Sequence, residues 1–146
     1  MSLKDWARSG WLEEHRPSRR EISDILSAVS RDLKTSAQSS LDIDWKFAIA
    51  YNAALQSANA ALAASGYRAR REAHHFRVIQ SLAFTIGAEP ELIELLDRFR
   101  KKRNLGTYER AGAISEREAV EIRKLAIQLR DRISSWIETH HPELVG

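Results

Sequence analysis

The stretch FAIAYNAALQSANAALAASG, residues 47–66, leaves this chain little choice of architecture. Alanine is the strongest helix former, and small side chains let a neighbouring helix approach closely. Ile43, Phe47, Ala50, Tyr51, Ala54, Leu55, Ala58 and Leu62 recur on one side of a helix spanning about 43–65. Gly66 follows, a residue suited to the left-handed turn that ends a helix.

The rest of the chain repeats that grammar. SRRE at 18–21 has the form of a capping box, and the stripe Ile22, Ile25, Leu26, Val29 and Leu33 predicts a helix behind it, broken near 39–42. A third helix is expected over about 68–86, using Phe76, Ile79, Leu82, Ala83 and Ile86, with Gly87 as its stop. Pro90 suits the first turn of a fourth, PELIELLDRFRKKR. SERE at 115–118 is a second capping box, launching a last helix with Ile122, Leu125, Ala126, Leu129, Ile133, Trp136 and Ile137 along its seam. No strand-like alternation is visible, and six glycines with three prolines argue against a turn-rich β fold. The expectation is an all-α antiparallel bundle of about five helices over 18–146, preceded by an N-terminal arm over 1–17. Trp6 and Trp11 in that arm either pack on the bundle or anchor a partner.

Several function classes recede at this point. A chain of 146 residues supports one domain. Without cysteine there is neither a disulfide framework nor a thiolate metal site, which suits the cytoplasm. No run of about 18 apolar residues is present, so no membrane span is expected, and the N-terminus does not read as a signal peptide. His74–His75 and His140–His141 are adjacent pairs, which point about 100° apart on a helix and do not chelate as facing couples, so no metal is expected. No Gly-x-Ser-x-Gly turn is present, so no serine nucleophile is expected, and glycine-rich phosphate loops are absent, so no bound cofactor is expected either.

What the sequence does concentrate is positive charge. The net charge is only +3, yet RFRKKR at 98–103 holds five basic residues in six, and YRARR at 67–71 three in five. Each cluster reads either as a solvated helix end, favoured by the dipole, or as an anion site. Arg70 and His74 are four apart, as are Arg71 and His75, so each pair is expected to share a face of the third helix, setting a phosphate-binding guanidinium beside a proton-moving imidazole. The segment RKKRNLGTYERAG, 100–112, is either a solvated turn or a place where phosphate is handled.

Taken in order, these features resemble a known family. The alanine-rich helix with Ala50, Tyr51 and Ala54, the GYR corner at 66–68 and a following helix carrying His75 are similar to the central helix pair of the HEPN domain (higher eukaryotes and prokaryotes nucleotide-binding). RNLGTY at 103–108 falls where that family carries its signature, and the likeness covers about 20–139. The resemblance implies a helical bundle, often a homodimer with the signatures of two protomers meeting across a cleft. Many members are metal-independent ribonucleases, often toxins paired with a nucleotidyltransferase-like antitoxin; others are binding modules without catalysis. The signature is an arginine, a polar neighbour and, a few positions on, a histidine. Arg103 and Asn104 match the first two, but the histidine positions hold Tyr108, Glu109 and Arg110.

The departure is chemical. Metal-free RNA cleavage needs a proton acceptor with a pKa near the working pH, and a phenol near 10 is a poor one. The resemblance therefore implies binding of RNA or a nucleotide around Arg103, Asn104 and Tyr108, with Arg68, Arg71, His75, Arg100, Lys101 and Lys102 adding cationic contacts. Two alternatives stand beside it. One is an active ribonuclease in which Tyr108 or a histidine of the 74–75 pair serves as the base, for which His75 would have to approach Arg103 across the bundle. The other is a module for a nucleotidyltransferase-like partner that touches no nucleic acid.

Overall fold

A computed structural model of the chain describes residues 1–106 and 114–145. It is an all-α bundle with one small strand pair. The elements in order are α1 (Leu3–Arg8), β1 (Leu12–Glu14), α2 (Arg19–Ser36), α3 (Ile43–Ala64), β2 (Tyr67–Ala69), α4 (His74–Ser81), α5 (Pro90–Gly106), α6 (Glu116–His140) and a 3₁₀ turn at Pro142–Leu144.

The alanine-rich helix is the axis of the molecule. The sequence pattern places one side of it inward, but in the fold α3 is buried nearly all round its C-terminal half: Ala53, Ala54, Ala58, Ala60, Ala61 and Leu62 are each at most 1% exposed. It packs against α2 on one flank and α6 on another, with α4 and α5 closing the remainder. Small side chains make this multiple packing possible, because several helices can approach one axis only if that axis is thin. Ser57, fully buried with them, donates its hydroxyl to the Ala53 carbonyl at 2.9 Å and so brings no unsatisfied polarity.

Two contacts fix how the outer helices run. Arg19 at the start of α2 donates to the Glu143 carbonyl just beyond α6, while Arg123 in the first half of α6 reaches the Leu33 carbonyl near the end of α2. The pair is therefore antiparallel. The short turn over 37–42 makes α2 and α3 antiparallel too, so α3 and α6 run in the same sense. A same-sense pair needs a crossover, and α4 with α5 supplies it.

Two expectations are corrected here. The third helix does not occupy 68–86. Tyr67, Arg68 and Ala69 are extended and pair antiparallel with Glu14, Glu13 and Leu12, so a strand ladder exists where no alternation was visible. Leu12 and Ala69 turn inward while Arg68 pairs with Glu13 outside. α4 starts only at His74 and loosens after Ser81 into three-residue turns, Phe84 N–H to Ser81 among them, before Gly87. Arg70 and Arg71 consequently precede the helix and share no helical face with His74 and His75. The second correction concerns the box at 18–21. Ser18 does accept from the Glu21 amide, but the Glu21 carboxylate turns away to His15 Nε2 at 2.7 and 2.8 Å. The second box forms in full: Ser115 accepts from the Glu118 amide at 3.1 Å, and Glu118 accepts from the Ser115 amide at 3.0 Å.

The arm is thus bound into the body. Gly66, at φ +95° after α3, swings the chain back so that its carbonyl receives the His15 amide at 2.9 Å. Trp6 is buried in the core, edge-on to Trp11 at 5.6 Å and to Phe84 at 5.1 Å. Among the described residues, no helix is long and apolar enough to cross a membrane.

Candidate functional site

The start of α4 faces the C-terminal half of α5 across an open groove of about 560 Å³, bordered by Arg71, Ala73, His74, His75, Phe76, Arg100 and Asn104. Its construction begins with Ala73. This residue sits at φ 53°, ψ 33°, in the left-handed region, and is the one non-glycine residue with positive φ among those described. A Cβ there costs about 1–2 kcal/mol. Ala73 also stands at the helix cap without any side-chain oxygen to accept from the first turn. The His74 amide is met by the Arg71 carbonyl at 3.3 Å, while those of His75 and Phe76 retain capacity for an outside acceptor, with the positive end of the helix dipole behind them.

α5 supplies the opposite wall. Phe99 anchors it by meeting Phe47 of α3 edge-on at 5.5 Å, with both rings buried. The next turn brings Arg100 and Asn104 to the groove and sets Arg103 behind it, its Cζ 5.6 Å from the centre of the Tyr51 ring. Asp97 holds Arg100 in place, with Nε donating to Oδ1 at 2.7 Å.

The electrostatics follow from this crowding. Burial, then the charges of Arg103, His74 and Arg100, hold the His75 imidazole below its ordinary value of 6.5. His75 is therefore a neutral base at neutral pH. Its ring lies 6.1 Å from that of Tyr51. Burial pushes the Tyr51 phenol up to about 12, against the opposing pull of Arg103 and Arg100, so the hydroxyl keeps its proton. That hydroxyl is buried and has no hydrogen-bond partner among the described residues.

Of the residues singled out from the sequence, Arg71, His75, Arg100 and Asn104 border the groove together, and Arg103 stands behind them. Three others are turned elsewhere by carboxylates: Arg68 pairs with Glu13, Lys101 with Asp97 at 3.4 Å and Lys102 with Glu118 of α6. Tyr108 lies outside the described residues. His74, the other histidine considered as a base, borders the groove as well, whereas sequence reasoning passed over Phe76 and Tyr51 as members of the site. Phe76 and Tyr51 fit apolar stripes and so read as core, whereas in the fold Phe76 is half-buried at the groove. No group of three or more His, Asp or Glu among the described residues is placed to hold a metal ion.

Chemically, the groove offers two guanidiniums and a helix head to an anion, an amide side chain to direct it, and a neutral imidazole able to take a proton. No known protein family, no curated protein and no solved structure matches the chain.

Proposed function

We propose that this chain is a HEPN-like helical domain that binds RNA or a nucleotide by seating a phosphate in the groove between α4 and α5. The observation that supports this reading is the convergence of Arg71, Arg100, Asn104 and the uncapped head of α4 on one open space, drawn from segments about 30 residues apart. Guanidiniums suit phosphate because their planar donors match its oxygens in pairs. Phosphate contacts release counterions, so binding of a single-stranded oligoribonucleotide weakens with salt, by about 0.7 in log–log slope for each contact. Arg100→Ala should weaken binding and flatten that slope by roughly one such contact. No binding at low salt, or a slope indifferent to both Arg100→Ala and Arg71→Ala, refutes the reading.

One observation favours a catalytic version. His75 is kept neutral beside Arg103, which gives the groove the proton acceptor missing from the RNLGTY motif. In that version His75 takes the 2′-hydroxyl proton, the 2′-oxygen bonds to phosphorus as the bond to the 5′-oxygen breaks, the departing oxygen takes a proton from water, and the arginines stabilise charge on the phosphate. Cleavage of a mixed RNA in EDTA by the wild type, lost in both Arg103→Ala and His75→Gln, supports it; no cleavage by the wild type leaves a binding domain. The homodimer implied by the resemblance belongs to the same proposal, and sedimentation of the full chain tests it. If RNA does not bind, the reading as a module for a nucleotidyltransferase-like partner takes its place.

A further inference from the structure

Phe76 has no part in holding a phosphate, yet it borders the groove half-buried among cations. The centre of its ring lies 5.5 Å from Arg100 Cζ and 5.4 Å from Arg77 Cζ. Arg77 in turn sits 3.6 Å over the ring of Trp11, and Trp11 meets the buried Trp6 edge-on. A continuous ladder of rings and guanidiniums therefore runs from the core, through the N-terminal arm, to the wall of the groove. A ring braced in this way loses little freedom when another flat group lands on it. An aromatic ring set among cations along an open groove is also the combination by which single-stranded nucleic acids are held, bases on rings and phosphates on charges.

We propose that Phe76 is a stacking platform for a nucleobase whose adjoining phosphate is held by Arg71 and Arg100, so that the ligand of this groove is a nucleotide unit rather than phosphate alone. The inference rests on the reading of the groove as a phosphate site. It also gives the arm a role, because Trp11, through Arg77, sets the position of the platform. Stacking involves no counterion release, so its contribution persists in salt that weakens the phosphate contacts.

The test is fluorescence-anisotropy titration of the full chain with a labelled adenylate hexaribonucleotide and with an abasic ribose-phosphate hexamer of equal charge. Loss of stacking on one ring weakens binding by between about 5- and 150-fold. The wild type should bind the adenylate strand tighter than the abasic one by a factor in that range. Phe76→Leu should remove that preference with the salt slope unchanged, and Phe76→Trp should keep it. Equal wild-type affinity for the two strands overturns the platform while leaving the phosphate groove standing, and so does a folded Phe76→Leu that keeps the preference. Failure of both strands to bind at low salt refutes the phosphate reading and the platform with it. If Phe76→Leu does not fold, the wild-type comparison and Phe76→Trp still decide. Adenosine monophosphate in the same titration separates a free nucleotide from a strand as the source of the unit.

Discussion

Tyr51→Phe should make this protein more stable. Tyr51 is 1% exposed, and its hydroxyl has no hydrogen-bond partner among the described residues. A buried donor without a partner costs about 1–3 kcal/mol, and phenylalanine removes it while filling the same space. An increase of about 1 kcal/mol at pH 7 is expected, which is roughly 2–4 °C in Tm for a chain of this size. The gap should widen in alkali. The folded-state pKa of about 12 lies above the ordinary 10, so the native state holds its proton more tightly than the unfolded chain does. A raised pKa contributes stability that is complete below pH 10 and is lost as pH rises through 12. At pH 11 the wild type should therefore have given up about 1.4 kcal/mol that Tyr51→Phe, having no phenol there, retains. Urea unfolding of both proteins, followed by circular dichroism at pH 7, 9 and 11, reads the effect directly. If Tyr51→Phe is less stable by 1 kcal/mol or more at pH 7, the hydroxyl has a partner and the reasoning fails. A variant that gains stability but loses RNA affinity would mark Tyr51 as a group retained for the site at the expense of the fold.

Three further expectations concern the site and its scaffold. The lowered pKa of His75 gives stability that is complete above the ordinary imidazole value and is lost as pH falls below it, because the unfolded chain takes up the proton first; His75→Gln should flatten the stability profile on the acid side of pH 6.5, and an NMR titration should show His75 protonating below that value. Ser115→Ala removes the acceptor for the Glu118 amide and half of a reciprocal cap, and should cost about 1 kcal/mol in urea unfolding, with a range of roughly 0.5–2. Ala61→Leu places a branched side chain where the axis helix is 0% exposed, and a loss of about 1–3 kcal/mol is expected; an unchanged midpoint would show that the helices around α3 are not in close contact there.

Much of the fold is present in local chemistry. The alanine-rich segment becomes α3 within a residue of its expected bounds, Gly66 and Gly87 end helical segments at positive φ, and Ser115 with Glu118 starts α6. Each of these depends on residues within a turn of one another, so the sequence carries it whole. RFRKKR likewise marked the helix that walls the groove. Local reading failed where the partner was distant. Arg68 and Ala69 read as the start of a helix because the strand partner of Tyr67–Ala69, Leu12–Glu14, lies about 55 residues earlier. The same strand delays α4 to His74, which takes Arg70 and Arg71 off the helix, and the residues after it present Phe76 to the groove.

The sequence by itself determined that this is a helical protein, where most of its helices begin and end, and that dense clusters of positive charge stand at 67–71 and 98–103. Those properties follow from propensity, capping and composition, which act over a few residues. Tertiary structure decided which of the cations meet. Arg68 and Lys102 are drawn to carboxylates on β1 and α6, and Lys101 and Arg100 share Asp97 on α5; Arg100 still borders one groove with Arg71, and Arg103 lies behind it, close enough to His75 to help keep that imidazole neutral. The Asp97 pairs lie within one helix at i,i+3 and i,i+4, but no spacing along the chain encodes the meeting of Arg71 with Arg100 or the pairing of Arg68 and Lys102, because the packing of α4 on α5 and the return of the N-terminal arm are settled only when the apolar faces are buried together.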